Sequence, residues 1–265
     1  TGQMPNWLSE SIRDNSLIEK ALNNLNNALG GGLDVEGGPK NIQYKSTELT
    51  LKGLLKNKFS ERIEQTGKDG KDLVSVLINQ VPADGVPLSE RDFNTYFLLL
   101  VVAGNETTRH TISHTMNYLI ENPEQMHLLQ ENPELIPWAV EEFIRLASPV
   151  YHFRRTATKD VDFKGVQIKE GDKVVPWFAS GNRDSAVFTD PYKMDVTRNP
   201  NEHMAFGRGG PHMCLGNSLA RLEVRIMFED LLSRISKMER VGEIDHLRSN
   251  FVNGIKRFPV KVTLR

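Results

Sequence analysis

Apolar side chains recur every three or four residues over much of the first eighty positions. This spacing predicts helices over residues 1–29, 47–65 and 73–79, because a helix places such positions on one face. Glycines and a proline between Gly30 and Pro39 interrupt the pattern and predict a linker. Residues 1–44 are therefore expected to form a helix and a glycine-rich linker without an assigned domain.

The longest helical pattern lies in the middle of the chain. Ser89, followed by acidic residues in the next turn, predicts a helix start, and the pattern then continues unbroken from Phe93 to Ile120. We expect this helix to be mostly buried. Its weak point is 103–108, where Gly104 alone costs about 1 kcal/mol of helix propensity. A functional gain is expected to offset that cost.

The pattern changes twice in the second half of the chain. Residues 121–147 predict two shorter helices, each started by an Asn-Pro pair, and Ser148-Pro149 predicts their end. Residues 150–180 alternate in short segments between glycine turns, which indicates a small sheet. An irregular stretch over 181–202 precedes a last helix from Asn217 to Ile235. The predicted fold class is mainly α with a small β-sheet.

Composition and charge narrow the function classes. The 33 basic and 34 acidic residues nearly cancel, so no electrostatic field favours nucleic acid as a partner. The longest apolar run, Tyr96 to Ala103, is far shorter than the roughly 18 residues of a membrane span. One cysteine cannot close an intramolecular disulfide and no secretory leader is visible, so we expect a cytoplasmic protein.

That cysteine, Cys214, lies between a glycine-rich loop and a predicted helix, where backbone N–H groups and the helix dipole stabilise a thiolate. It could be a metal ligand, or a nucleophile with His212 as its base. A zinc site with His203 and His212 would lack a fourth ligand at finger spacing. A buried core cysteine is the remaining alternative. The loop glycines argue against a core cysteine because they make room for another group; they are Gly207, Gly209, Gly210 and Gly216.

Three motifs together resemble the cytochrome P450 family, the haem-thiolate monooxygenases. Phe206-Gly207-x-Gly209-x-x-His212-x-Cys214-x-Gly216 resembles the haem-binding loop, with one extra residue between the second glycine and the histidine. Ala103-Gly104-x-Glu106-Thr107-Thr108 resembles the oxygen-activating helix, and Glu142-x-x-Arg145 resembles the Glu-x-x-Arg pair. The order of the three motifs along the chain and the gaps between them also resemble those of the family. The resemblance covers about residues 45–265 and implies the C-terminal haem-binding portion of the cytochrome P450 fold.

The resemblance implies a haem b whose iron is bound by the Cys214 thiolate, opposite the position where dioxygen binds. Gly209 and Gly216 would let the loop and helix lie flat on the porphyrin. His212 and Arg155 would bind haem propionates, although His212 could also be an ordinary surface histidine. The full set of expected cofactor-binding residues is Ala103, Gly104, Arg155, Phe206, Gly207, Gly209, His212, Leu215 and Gly216.

Glu106 and Thr107 are the expected catalytic residues. Gly104 is expected to relax the i→i−4 hydrogen-bond ladder, so that the threonine hydroxyl can face bound oxygen while the acid relays protons from solvent. The alternatives are a back-bonded helical threonine and a glutamate on a solvated face.

Glu142 and Arg145 are expected to have a structural role. One turn apart on a helix, they could form only a weak surface pair. The resemblance implies instead a buried cluster completed by Arg198, which would hold the irregular stretch that precedes the haem loop.

The expected substrate is hydrophobic because the candidate lining residues are apolar. The resemblance is closest to bacterial-type members that hydroxylate terminal methyl groups of sterol side chains, branched lipids or fatty acids. It also implies dioxygen as co-substrate and a ferredoxin or similar redox partner. The lining candidates are Leu99, Val102, Ala103, Val150, Tyr151, Phe153, Phe251 and Val252.

Two other functions compete with a monooxygenase. One is a non-catalytic haem-binding remnant without a closed distal pocket, and the other is a haem enzyme that rearranges peroxides, which the Glu106-Thr107 pair disfavours. The chain begins at Thr1, and only 102 residues precede Ala103, fewer than in members of the family. We therefore expect an N-terminally truncated chain that holds haem loosely, with its distal side exposed.

Overall fold

The computed structural model describes Leu77 and residues 85–265. The helices predicted over 1–29 and 47–65 and the glycine-rich linker lie outside the described residues, as does the helix over 73–79 apart from Leu77. The chain forms two compact units that meet in sequence between Ala103 and Gly104.

The long helix α1 spans Glu90–Glu121, close to the predicted bounds. The Ser89 side-chain Oγ accepts a hydrogen bond from the Asp92 backbone N–H at 3.1 Å and so caps the first turn. The helix runs without a break through Gly104. The helix is thus not interrupted at Gly104, and the expected relaxation of its hydrogen-bond ladder there stays a prediction. Glycine lowers helix propensity but keeps its N–H group, so the ladder can continue through it.

The expectation that α1 is mostly buried is wrong. Leu99, Val101 and Val102 are exposed, Leu99 by 47%. From Thr108 onward one side of the helix is buried, and several of its buried positions are polar. Three of these buried polar residues are threonines. The buried positions of α1 therefore do not coincide with its longest apolar run.

Two shorter helices follow, as predicted, with a 3₁₀ turn between them. The Ser148 backbone adopts the left-handed conformation directly after the second, and its N–H donates to the Ile144 carbonyl at 3.0 Å, which ends the helix. A one-turn helix and the long final helix complete the α elements of the described residues. These elements are α2 (Pro123–Glu131), the 3₁₀ turn (Pro133–Leu135), α3 (Ile136–Ala147), α4 (Phe178–Gly181) and α5 (Asn217–Arg234).

The strands of the described residues form antiparallel pairs. Strand β1 pairs with β4 and β2 with β3, within the segment predicted as a sheet. Strand β5 pairs with β8 and β6 with β7, and the sequence analysis predicted neither of these pairs. The strands are β1 (Arg155–Thr156), β2 (Val161–Phe163), β3 (Val166–Ile168), β4 (Lys173–Val174), β5 (Ile235–Arg240), β6 (Asp245–His246), β7 (Ile255–Arg257) and β8 (Val260–Leu264).

The core of the second unit lies mainly between α3 and α5. The rings of Phe143 on α3 and Phe228 on α5 meet at 5.0 Å between centroids, and both are buried. Leu119 at the end of α1 belongs to the same cluster. This packing fixes the helix that begins after Cys214 relative to the helix that carries Glu142 and Arg145.

Candidate active site

The loop over 206–216 presents Cys214 on the surface. The Cys214 backbone N–H donates to the Phe206 carbonyl at 2.8 Å, which closes the loop. Gly207 and Gly209 have φ of +70° and +72°, a conformation that strains residues with a side chain. The thiol is exposed, so the alternative of a buried core cysteine is wrong.

The surroundings of Cys214 suit a flat apolar ligand held through sulfur. Leu215 is 76% exposed, Met213 on the other side of Cys214 in sequence is also exposed, and so is Leu219 in the first turn of α5. A soft thiolate at a helix start is a good iron ligand, and exposed apolar side chains would cover a porphyrin. The residues present therefore fit a haem. Within the described part of the chain, no group of three or more His, Cys, Asp and Glu residues could hold a metal ion, which leaves the zinc alternative without support.

The two residues expected to bind propionates lie on the surface. Arg155 is exposed in β1, and its guanidinium lies 5.9 Å from the centroid of the Phe153 ring. His212 is exposed in the cysteine loop. Arg155 is thus placed beside one of the expected lining residues.

A polar network that the sequence analysis missed supports the cysteine loop. The Glu141 carboxylate on α3 accepts hydrogen bonds from His203 Nε2 at 3.0 Å and from Arg221 Nε at 2.6 Å. The Arg221 guanidinium lies 4.6 Å from the Phe206 ring centroid and donates to Asn217 Oδ1 at 2.8 Å.

The same network reaches the cysteine itself. The Asn217 side-chain amide donates to the Cys214 carbonyl at 2.7 Å. The contacts run from Glu141 through Arg221 and Asn217 to Cys214, and so tie the loop to α3. The pairing of Glu141 with residues about 60 and 80 positions later leaves no local signal in the sequence.

This network is sensitive to acid. Burial alone would raise the pKa of Glu141, but the hydrogen bonds and positive charges of His203 and Arg221 lower it to about 2. A group whose folded-state pKa lies below its ordinary value of 4.5 stabilises the fold above that value, and this contribution is lost as the pH falls toward 2.

We expect Arg221→Ala to lower the free energy of unfolding at pH 7, because it removes two donors from Glu141. The difference from the unchanged protein should shrink as the pH falls from 4.5 toward 2, where the Glu141 charge is lost. Urea unfolding over that range measures both effects. Arg225→Ala, which breaks an exposed pair with Glu229 on the same helix, is the control and should change stability little. A difference that stays constant with pH would contradict the assigned charge network.

Glu142, Arg145 and Arg198 lie together. The two oxygens of Glu142 accept hydrogen bonds from Arg145 Nε and Nη2 at 2.7 and 2.8 Å, and from Arg198 Nε at 3.1 Å. Asn201 Nδ2 and the Asp195 backbone N–H also donate to this carboxylate. Glu142 and Arg145 are buried and the Arg198 side chain is only 10% exposed, so this is no surface pair.

Arg145 also holds the irregular stretch after α4. Its Nη1 donates to the Asn182 and Pro191 carbonyls, both at 2.7 Å. Its guanidinium lies 5.0 Å from the centroid of the buried Phe188 ring, and that of Arg198 lies 6.0 Å from the same ring. The cluster thereby fixes backbone that precedes the cysteine loop.

The Glu106 carboxylate on α1 is held by two neighbours. Arg109 Nη2 lies 2.6 Å and His110 Nε2 2.9 Å from Glu106 Oε2. The Glu106 side chain is 15% exposed, so it is not on a fully solvated face. The carbonyl of Thr107 accepts a hydrogen bond from the Thr111 hydroxyl at 2.9 Å.

The expected lining residues after α3 and near the C-terminus meet. Val150 and Val252 form an antiparallel bridge, and the Tyr151 backbone N–H donates to the Phe251 carbonyl at 2.9 Å. The rings of Phe153 and Phe251 meet edge to face at 5.5 Å, each about 40% exposed. Leu99, Val102 and Ala103 lie on α1 before Gly104 and are exposed.

Two further aromatic rings extend this cluster. His152 packs on Trp177 at 4.5 Å between ring centroids and on Phe251 at 5.9 Å. Trp177 is half exposed and was not among the expected lining residues, although its position before α4 after two apolar residues was visible. The result is an exposed aromatic surface, which is unusual unless it contacts an apolar partner.

The comparisons with known proteins agree with these features. The sequence model of the family described as Cytochrome P450 matches residues 36–262. The chain belongs to the cytochrome P450 family. Within the described residues, no helix is long and apolar enough to span a membrane.

Several relatives are named for lipid or steroid oxidation. The chain is 45% identical over 190 residues to the methyl-branched lipid omega-hydroxylase of Mycobacterium bovis, covering 71% of this chain and 44% of that protein. It is 44% identical over 195 residues to the steroid C26-monooxygenase of Mycobacterium tuberculosis, covering 72% and 52%.

A cytochrome P450 from Mycobacterium marinum, solved in complex with pseudoionone, has a similar fold. The TM-score is 0.75 at 39% sequence identity, covering 81% of this chain and 51% of that one. The chain spans about half the length of the curated relatives it matches.

Proposed function

We propose that this chain carries the haem-binding half of a monooxygenase. Its reaction would insert one atom of dioxygen into a C–H bond of a hydrophobic substrate and reduce the other atom to water, using two electrons and two protons. The observation that carries the proposal is the exposed thiol of Cys214, a residue whose backbone N–H donates to the Phe206 carbonyl just before the start of α5, in a chain of this family. A haem held by a thiolate supplies dioxygen activation by donating electron density toward the oxygen.

Several residues would hold the haem b of this proposal. Cys214 would supply the ligand, and the φ-positive Gly207 and Gly209 would keep the loop free of side chains where the macrocycle lies. Arg155 and His212, both exposed, would bind the propionates. The Leu215 side chain would cover part of the apolar edge of the porphyrin.

Glu106 and Thr107 would deliver the protons. The Glu106 carboxylate is positioned by Arg109 and His110 rather than free to rotate, which favours transfer along a fixed route. The Thr107 hydroxyl would hold the final proton near the oxygen.

The substrate class is a lipid with a terminal methyl group, such as a sterol side chain, a branched lipid or a fatty acid. Support comes from the exposed rings of Phe153 and Phe251 and from the names of the relatives. A ferredoxin or similar protein would supply the electrons. The single cysteine supports a cytoplasmic location.

The competing function is a haem-binding remnant without turnover. Turnover under ¹⁸O₂ separates the two. The haem-loaded protein, given a ferredoxin, its reductase and a methyl-branched fatty acid or a sterol, should form a terminal alcohol that contains one ¹⁸O atom. Product with oxygen from water, or haem loading without any product from either substrate class, would contradict a monooxygenase.

Replacement of Thr107 by alanine is expected to leave haem binding intact and divert electrons to hydrogen peroxide, because protons then reach the wrong oxygen atom. The measurement is product and peroxide formed per electron consumed. Thr95→Ala on the same helix removes an exposed back-bonded hydroxyl and is the control. An unchanged yield of product per electron in Thr107→Ala would contradict the role of Thr107.

A further inference from the structure

His110 connects the Glu106 carboxylate to the C-terminal part of the chain. It is buried on α1, one turn after Glu106. Its Nδ1 accepts the backbone N–H of Ile255 at 3.2 Å, and its Nε2 lies 2.9 Å from Glu106 Oε2. A neutral imidazole that accepts at Nδ1 carries its proton on Nε2, so His110 donates to the Glu106 carboxylate. Burial, with the nearby Arg109 charge, lowers the pKa of His110, which agrees with a neutral ring.

The segment around Ile255 is shaped to receive this ring. A Cβ on Gly254 would lie 2.8 Å from Leu247 Cβ and 3.1 Å from His110 Nε2. Any side chain at position 254 would therefore press on the nitrogen that donates to Glu106. The backbone N–H of Leu247 donates to the Gly254 carbonyl at 2.8 Å, which holds the segment in place.

A second histidine anchors the same segment without touching Glu106. His114, one turn further along α1, lies with Nε2 3.0 Å from the Asn253 carbonyl, and burial lowers its pKa to about 4. The Asn253 side chain accepts from the Tyr151 hydroxyl at 2.9 Å and donates to the Ala147 carbonyl at 2.7 Å. The segment that His110 contacts is thus hydrogen-bonded to Tyr151 and follows Phe251 in sequence, and both are among the expected lining residues.

We propose that His110 is a positioning residue for Glu106: its Nε2–H fixes the carboxylate for proton transfer, and its Nδ1 fixes that geometry relative to residues 253–255. The proposal rests on the proton-delivery role of Glu106 in the proposed function. It makes the position of the acid depend on the segment next to the aromatic surface, which connects proton delivery with the part of the chain expected to contact substrate.

Three variants separate positioning from simple anchoring. His110→Leu removes both hydrogen bonds, whereas His110→Gln can donate to Glu106 from its Nε2 and accept from Ile255 at its Oε1. His114→Leu removes an anchor of the same segment and leaves Glu106 untouched, so it is the matched control. The readouts are product formed per electron consumed, the solvent isotope effect on turnover, and the ¹⁵N shifts of the His110 ring in the diamagnetic ferrous carbonyl complex.

We expect His110→Leu to lower product per electron and raise the solvent isotope effect, and His110→Gln to restore both. His114→Leu should change both readouts much less than His110→Leu, because it loosens the segment but keeps both hydrogen bonds of His110. The ring of His110 should show a protonated Nε2 and an unprotonated Nδ1. Equal effects of His110→Leu and His114→Leu, or a proton on Nδ1, would overturn the proposal.

Glu106→Gln distinguishes this failure from failure of the proposed function. General acid catalysis contributes roughly 10²–10⁴-fold, so loss of the acid should slow turnover by up to that factor. If Glu106→Gln changes neither turnover nor coupling, the proton-delivery role fails. If it changes them and His110→Leu does not, only the role of His110 fails.

Discussion

Cys214→Ala should abolish the thiolate-type spectrum of the haem-loaded protein, with the largest effect of any single substitution proposed for this chain. Reduced protein under carbon monoxide should show the strongly red-shifted Soret band of a thiolate-ligated carbonyl complex, and the variant should lack it. The physical reason is that Cys214 is the single cysteine of the chain, so no other thiolate is available.

The test separates iron ligation by the Cys214 thiolate from ligation by a histidine in the same loop. His212 lies two residues from Cys214 in the same exposed loop and is a possible nitrogen ligand. His212→Ala should retain the thiolate-type band, with weaker haem binding if its ring binds a propionate. A histidine-type carbonyl spectrum in the unchanged protein would contradict ligation by Cys214.

The sequence predicted the helices well where local chemistry defines their ends. Ser89 caps α1 with its own side chain, and Ser148 ends α3 in the left-handed conformation before Pro149. Both signals lie within a few residues of the boundary they set. That is why the bounds of these helices could be predicted without knowledge of the fold.

The C-terminal strands could not be predicted in the same way. Strand β5 begins directly after α5 and pairs with β8, so that Ile235 faces Leu264 across a gap of nearly thirty residues. Within β5 only Ile235 and Met238 are buried, which breaks the strict alternation that identifies a half-buried strand. Pairing partners, not local pattern, define these strands.

The candidate site shows the same difference between features with a local sequence signal and features that depend on distant residues. The resemblance to the family lies in short motifs with fixed spacing. These motifs were enough to select Cys214 and the Glu142–Arg145 pair as candidate residues. The contacts that hold those residues join distant positions, such as Arg221 to Glu141 and Ile255 to His110. Such contacts have no signal in a single sequence, and this is why the supporting residues were missed.

Loss of Arg145 should prevent stable folding of the second unit. Its side chain is fully buried, and it donates two hydrogen bonds to Glu142 within α3 and two that join α3 to the Asn182 and Pro191 carbonyls. Arg145→Ala would leave the buried Glu142 carboxylate without its main counter-charge. Removal of one partner from a buried ion pair costs about 3–5 kcal/mol, a large part of the stability of a typical domain.

Arg234→Ala is the matched control because its exposed pair with Asp230 on α5 should contribute less than about 1 kcal/mol. Urea unfolding followed by circular dichroism, with haem content per chain, measures both variants. We expect Arg145→Ala to give little folded or haem-loaded protein, and Arg234→Ala to match the unchanged chain. Arg198→Ala should lie between them, since Arg145 remains to neutralise Glu142 when Arg198 is lost. An Arg145→Ala protein with unchanged unfolding and haem content would show that Glu142 does not need this buried partner.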